Sequence, residues 1–209
     1  MSDDADIGFL VAPDEAPSKR EIVRVALRLF VRDGLAAASL RDIAAASGYS
    51  STVLYKFFES KDALACYLFE HCYVLLATRL GAAIRPGCDF RANLRSLIEA
   101  AGRLVATQPA AVLYTSEQVR LMWPGVPERL RRHSIVRLLT ELFQQGVGEG
   151  VIADAREIPY LIAALVGSFS QYAKLRHFGE FTGAPEEDAA ALGRIVERMI
   201  ARAGTDDVG

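Results

Sequence analysis

The run from Ser39 to Leu64 reads SLRDIAAASGYSSTVLYKFFESKDAL, and its reading decides the fold. Ser39 followed three residues later by Asp42 has the pattern of a capping box, which satisfies backbone N–H groups at a helix start and predicts a helix from about residue 40. Leu40 and Ile43 face inward from that helix, and Ala44 is small where a second helix crosses closely. Gly48 suits the positive φ of a tight turn, and Ser50 is placed to cap the next helix from its side-chain oxygen. In that second helix Leu54 and Phe57 fall one turn apart and face inward. Apolar or small residues at 43, 44, 54 and 57 around a glycine are what two helices need to pack steeply across a tight turn, which is helix-turn-helix spacing. The same geometry leaves Ser51, Thr52, Val53, Tyr55 and Lys56 on the outward face of the second helix, the face that in such motifs enters the major groove of DNA.

Charge supports that assignment. The whole chain carries a formal net charge of −2, which argues against a protein that coats nucleic acid generally. Between Ser18 and Leu64, however, eight Lys and Arg stand against five Asp and Glu, while residues 65–209 carry sixteen of each sign. On this reading the segment 18–64 is the only locally positive one, and a basic module is the part expected to meet phosphate. The acidic start, with Asp3, Asp4, Asp6, Asp14 and Glu15 around Pro13 and Pro17, lacks the basic flank and apolar run of a secretory signal; residues 1–17 read as a mobile tail, and 204–209 as another.

Apolar residues recur at helical spacing nearly everywhere and strand-like alternation is scarce, so the fold class is all-α. Breaks at Gly34, Gly48, Glu59-Ser60, Pro86-Gly87, Pro109, Trp123 to Pro127, Gly146 to Gly150 and Gly179 to Pro185 leave nine helices, at roughly 18–33, 40–46, 51–57, 61–84, 90–107, 110–120, 127–146, 157–178 and 186–203. Three short helices then six longer ones predict an N-terminal helix-turn-helix head, residues 18–64, on a six-helix C-terminal body, residues 65–203.

The pattern Arg20 to Phe30, Gly34, Leu40-Arg41-Asp42-Ile43-Ala44, Ser47-Gly48-Tyr49-Ser50, Leu54-Tyr55, Phe57-Phe58 and Ser60-Lys61-Asp62-Ala63-Leu64 resembles the DNA-binding domain of TetR-family regulators. The resemblance covers about 45 residues and is specific because the Tyr-x-x-Phe-x-Ser-Lys-x-x-Leu run adds a fourth helix in a fixed register. It implies a double-stranded DNA operator as partner, with Tyr55 and Lys56 contacting DNA, Ser39 and Lys61 holding phosphates, and Arg41 in reach of a base. Ser50, Ser51, Thr52 and Val53 complete the expected surface. Where the family usually carries Gly then Thr, this chain has Thr52 and Val53, so a hydroxyl contact to phosphate at the second position is lost and Val53 is free to pack on a thymine methyl. Lys61 also has its own physical argument: a cation in the first turn opposes the helix dipole at a cost of about 0.3–1 kcal/mol, so it serves something besides helix stability.

The resemblance further implies a homodimer, a transcriptional repressor by default, and a small-molecule effector bound in the body. Bulky residues mixed with small ones on the last two helices, which pair across the dimer in this family, give Ala163, Gly167, Ser168, Leu192, Ile195 and Met199 as the implied dimer interface, ordinary internal packing being the competing reading. Tyr67, His71, Tyr114, Trp123, Phe143, Phe169 and Tyr172 are the candidate effector lining, and the scarcity of inward charges points to an apolar or aromatic ligand. Two alternatives stand beside this one: a DNA binder controlled by a protein partner without a small ligand, and a helical enzyme or partner-binding module whose head imitates a DNA reader. No nucleophile elbow, glycine-rich phosphate loop or paired-carboxylate arrangement frames a catalytic site, so neither an enzyme nor a cofactor is expected. Cys66, Cys72 and Cys88 lack paired spacing and the three histidines lack ligand-spaced neighbours, so no metal is expected. Without a run of 18 uninterrupted apolar residues, the default reading is a cytoplasmic protein with no membrane partner.

Overall fold

The computed structural model describes residues 8–203. Ten α-helices follow one another: α1 (Pro17–Asp33), α2 (Leu40–Ser47), α3 (Ser51–Tyr55), α4 (Lys61–Gly81), α5 (Phe90–Thr107), α6 (Pro109–Met122), α7 (Glu128–Arg131), α8 (Ile135–Gly148), α9 (Ile158–His177) and α10 (Pro185–Ala203), with no strand among the described residues. The all-α expectation and the helix-turn-helix placement hold. One expected helix, 127–146, is two: α7 ends within a turn, and Ser134 starts α8 afresh by accepting the Arg137 N–H at 3.2 Å. No glycine or proline marks that break, which is why the pattern of apolar residues ran through it.

The chain divides into two compact units, one containing residues up to Leu75 with Ala110–Val126, the other Leu76–Pro109 with Pro127 onward. The expected boundary at 64/65 lies within the first of these units. The reason is α6, whose Tyr114 is fully buried in the first unit, its ring stacked 6.0 Å from Phe30 of α1 and its hydroxyl donating to the Ala65 carbonyl at 3.0 Å. The expected mobile tail is corrected for its described part. Leu10 and Val11 are buried and the Leu10 carbonyl accepts the Tyr67 hydroxyl, because two apolar side chains outweigh the acidic residues beside them. The expectations for residues 1–7 and 204–209 lie outside the described residues.

In the first unit, α1 buries Ile22, Val25, Ala26, Leu29 and Phe30 at helical spacing, and α4 contributes Leu64, Leu68, Phe69 and Cys72. By length and composition α4 could cross a membrane, yet these are the side chains of a core helix. In the second unit α5 and α10 cross closely: a Cβ on Gly102 would meet Ala189 Cβ at 2.4 Å, and one on Gly193 would meet Ile98 Cγ2 at 2.5 Å. Phe90 and Phe143 pack 5.9 Å apart nearby, and the buried Asn93 carboxamide closes the α4–α5 loop by accepting the Arg85 N–H at 2.9 Å and donating to the Cys88 carbonyl.

Candidate nucleic-acid interface

The α2–turn–α3 segment is built from caps. Ser39 accepts the Asp42 N–H at 3.2 Å while its own backbone N–H reaches the Asp42 carboxylate at 3.0 Å, so the capping box is complete. The Ser39 hydroxyl also donates to Asp42 at 2.6 Å; this bond and the backbone one beside it hold the Asp42 carboxyl below the usual carboxylate range. At the other end Gly48 is left-handed, φ 75°, which lets Tyr49 N–H reach the Ala44 carbonyl and Gly48 N–H the Ala45 carbonyl, a Schellman closure. Ser50 then caps α3 by accepting the Val53 N–H at 3.4 Å. Two short helices, each marginal alone, are thereby held in one register.

Beneath them Ile43, Ala44, Leu54 and Phe58 are buried. Phe58 takes the place expected of Phe57, since α3 ends at Tyr55 and the chain past it turns, with Phe58 N–H on the Leu54 carbonyl at 3.1 Å. Phe57 is half-buried. Arg41, Ser50, Ser51, Thr52, Tyr55 and Lys56, named from the sequence, are exposed, and Val53 is half-buried. Tyr55 is 56% exposed, unusual for an aromatic side chain in a segment this well packed.

Lys61 departs from its expected place. Its ammonium donates to the carbonyls of Leu35 at 2.9 Å, Ala36 at 3.4 Å and Ala38 at 3.1 Å, three acceptors for three N–H groups, and so ties the start of α4 to the α1–α2 loop. In this geometry no donor is left for a phosphate. Ser39 is similar in kind: its hydroxyl is engaged on both sides within the capping box.

The seven aromatic candidates for an effector lining fall four in the first unit and three in the second. Tyr67 stacks on His71 at 4.0 Å, Tyr114 on Phe30, and Trp123 lies 5.2 Å from Tyr73; Phe143 packs on Phe90, and Tyr172 meets Phe181 while its hydroxyl donates to the Pro185 carbonyl. Tyr114, Phe143, Phe169 and Tyr172 are core side chains; Tyr67, His71 and Trp123 are half-buried.

On α9 and α10 the six interface candidates lie at or near the surface: Ala163, Gly167, Ile195 and Met199 are exposed and Ser168 and Leu192 are half-buried. Other small residues of α10 do not: Ala189 and Gly193 are buried by the crossing with α5, so there the internal-packing reading is correct. The structure adds Tyr160, 77% exposed, and Val166 to the same face of α9 as Ala163 and Gly167. The signal for them is that the first half of α9, Ile158 to Gly167, carries no charged side chain and is apolar on every side, which in a helix with an open side calls for a partner surface.

Among the described residues no group of three His, Cys, Asp or Glu side chains is placed to hold a metal. Burial pushes the Cys72 thiol far up and raises that of Cys66, the opposite of a reactive thiolate.

Residues 22–67 match the sequence model of bacterial regulatory proteins, tetR family. A curated relative, the HTH-type transcriptional repressor KstR2 of Rhodococcus jostii (strain RHA1), is 28% identical over 102 residues, 49% of this chain and 50% of that protein. The match thus spans about half the length of that relative. Among solved structures, a bacterial regulatory protein in the tetR family from Rhodococcus RHA1 is similar with a TM-score of 0.76 at 19% identity, covering 89% of this chain and 98% of that one. The ketosteroid transcriptional regulator KstR2 of Mycobacterium tuberculosis is similar with a TM-score of 0.71 at 18% identity, covering 87% and 94%. At such identities the likeness is one of fold.

Proposed function

We propose that this chain is a TetR-type homodimeric transcriptional repressor that reads a pseudo-palindromic operator with the α2–α3 surface and leaves it when a small ligand binds the body, a reading supported by the family match over residues 22–67 and by the likeness of fold. One observation carries the DNA-reading part: on α3 the single buried side chain is Leu54, while Ser51, Thr52 and Tyr55 are exposed and Val53 is half-buried, and Arg41 and Lys56 are exposed as well. Arg41 and Lys56 supply phosphate or guanine contacts, Tyr55 and Val53 supply apolar contact to bases, and Ser51 and Thr52 supply short donors. Ser39 and Ser50 act at one remove, by capping the helices that present these groups.

Exposed apolar side chains support the dimer: Tyr160, Ala163, Val166 and Gly167 on α9 and Ile195 and Met199 on α10 are the surface that a two-fold pairing would bury. A two-fold dimer presents two α3 surfaces to half-sites about 34–36 Å apart, one turn of DNA. The effector is an apolar or aromatic small molecule, in keeping with the half-buried rings of Tyr67, His71 and Trp123 and with the relative that regulates as a ketosteroid regulator. It shifts the population toward a state whose α3 surfaces no longer match successive grooves, by a coupling of about 1–3 kcal/mol.

The test is retention of a fragment from a library of the organism's own upstream DNA, at two salt concentrations, by wild type and by Arg41→Ala/Tyr55→Ala. Selective, salt-sensitive retention of a palindromic fragment by the wild-type dimer, weakened at least a hundredfold in the variant, is expected. Equal retention by the variant overturns the assignment of the interface.

A further inference from the structure

The second unit holds a cationic concentration that the charge reading passed over. Residues 128–137 contain Arg129, Arg131, Arg132 and Arg137 against Glu128 alone, so the segment 18–64 is not the only positive one; the even balance of the body as a whole had concealed it. The fold gives this segment a shape. The α7–α8 junction and the last turns of α4 border an open cleft of about 650 Å³, within the range of small-molecule sites, with Arg132, His133, Ser134 and Arg137 on one wall and Thr78 opposite among the small side chains of Ala77 and Gly81.

We propose that this cleft is a binding site for a small phosphorylated molecule, whose phosphoryl oxygens are held by Arg132 and Arg137 at the N-terminal end of α8. The two guanidinium groups are already restrained but not used up. Arg132 engages Glu128 through Nε at 3.4 Å and Arg137 engages Glu141 through Nε at 2.9 Å, each pair set four residues apart on its own stretch of chain. In each case a single N–H faces a carboxylate, and the two terminal nitrogens of the fork remain as donors of the kind that grip an oxyanion in pairs. Both pairs are largely exposed, so they orient the arginines without binding them tightly.

Ser134 supplies the second ingredient. It is buried, and by accepting the Arg137 N–H it fixes where α8 begins, so the first residues of a fourteen-residue helix, with its positive end, belong to the lining of the cleft. Glu141 is the one carboxylate on the lining, and Arg137 neutralises it. Two forks and a helix terminus offer more donors than one carboxylate can accept, which favours a phosphoryl group with three free oxygens over a simple acid. The concave form and the volume suit a small molecule rather than the extended face of duplex DNA. None of the lining residues belongs to α9 or α10, so the site does not depend on the proposed dimer surface.

The inference goes beyond the proposed function and is read separately from it. Inorganic pyrophosphate is titrated calorimetrically into the full-length protein, with citrate at matched ionic strength as the carboxylate comparison. Saturable binding of one pyrophosphate per chain is expected, weakened at least tenfold in Arg132→Gln/Arg137→Gln and unchanged in Arg41→Gln. Because both cleft arginines are exposed, the double variant is expected to keep the wild-type circular dichroism and melting profile, and DNA retention measured on it reports on the interface alone. Absence of saturable binding, equal binding by the double variant, loss in Arg41→Gln, or citrate bound as tightly as pyrophosphate each overturns the proposal.

Discussion

Helices α3 and α9 treat solvent in opposite ways. The five residues of α3 bury Leu54 and turn polar groups and one aromatic ring outward. The twenty residues of α9 bury Leu161, Leu165, Phe169 and Tyr172 on one side, yet turn Tyr160, Ala163, Val166 and Gly167 outward on another. A polar outward face matches a polar, charged partner such as a DNA groove, whereas an apolar outward face gains free energy only against another apolar surface. Under the proposed function, the difference between the two helices is a difference between their partners, duplex DNA for α3 and a second copy of the chain for α9.

The comparison can be broken most sharply at the single buried residue of α3. Leu54→Ala is expected to lower stability by about 2–5 kcal/mol in denaturant titration, because the small helix has no second apolar anchor of its own. A loss under 1 kcal/mol would mean that the caps alone hold α3 in place.

For the body, small residues that face inward and outward should respond with opposite signs. Gly193→Val drives a side chain into Ile98 and is expected to cost about 1–3 kcal/mol. Gly167→Ala meets open space and should stabilise an isolated chain by about 0.5–1 kcal/mol while weakening the dimer in sedimentation equilibrium, if α9 pairs closely with its copy. Stabilisation with an unchanged dimer would remove α9 from the interface.

Lys61 separates positioning from contact. Lys61→Met removes the tie to three loop carbonyls and is expected to cost about 1–2 kcal/mol. The slope of log affinity for DNA against log salt should stay the same, where loss of a true phosphate contact would reduce it by about 1.

The smallest effect concerns acid. Asp42 titrates below its ordinary value in the folded chain, so its contribution is complete above the ordinary aspartate range and is lost as pH falls through the lowered value. The melting difference between wild type and Asp42→Asn should therefore be constant at neutral pH and shrink as pH falls below the ordinary aspartate range. A difference that persists at the acid end would separate the capping role of Asp42 from its charge.

The helix-turn-helix was legible because its determinants are local. A serine three residues before an aspartate, a glycine at the one left-handed position and a serine before α3 each act within a few residues of themselves, so their spacing along the chain is their geometry. The break between α7 and α8 was harder to see, since its only mark is Ser134, a cap residue in a run that otherwise keeps helical periodicity. Phe57 and Phe58 could not be told apart without knowing that α3 stops at Tyr55, because a helix that ends two residues early rotates everything after it.

Sequence alone determined that the chain is helical, where its helix-turn-helix lies and which side chains of α3 face outward, all consequences of caps and of a 3.6-residue period that neighbouring residues impose on one another. Tertiary structure alone decided the rest. It gave α6 to the first unit through Tyr114, occupied Lys61 with carbonyls more than twenty residues away, turned Ala189 and Gly193 inward and Gly167 outward, and gathered Thr78, Arg132 and Arg137 around one cleft. Each of these depends on which residues distant along the chain become neighbours, and packing of the whole chain, not the period of any one segment, settles that.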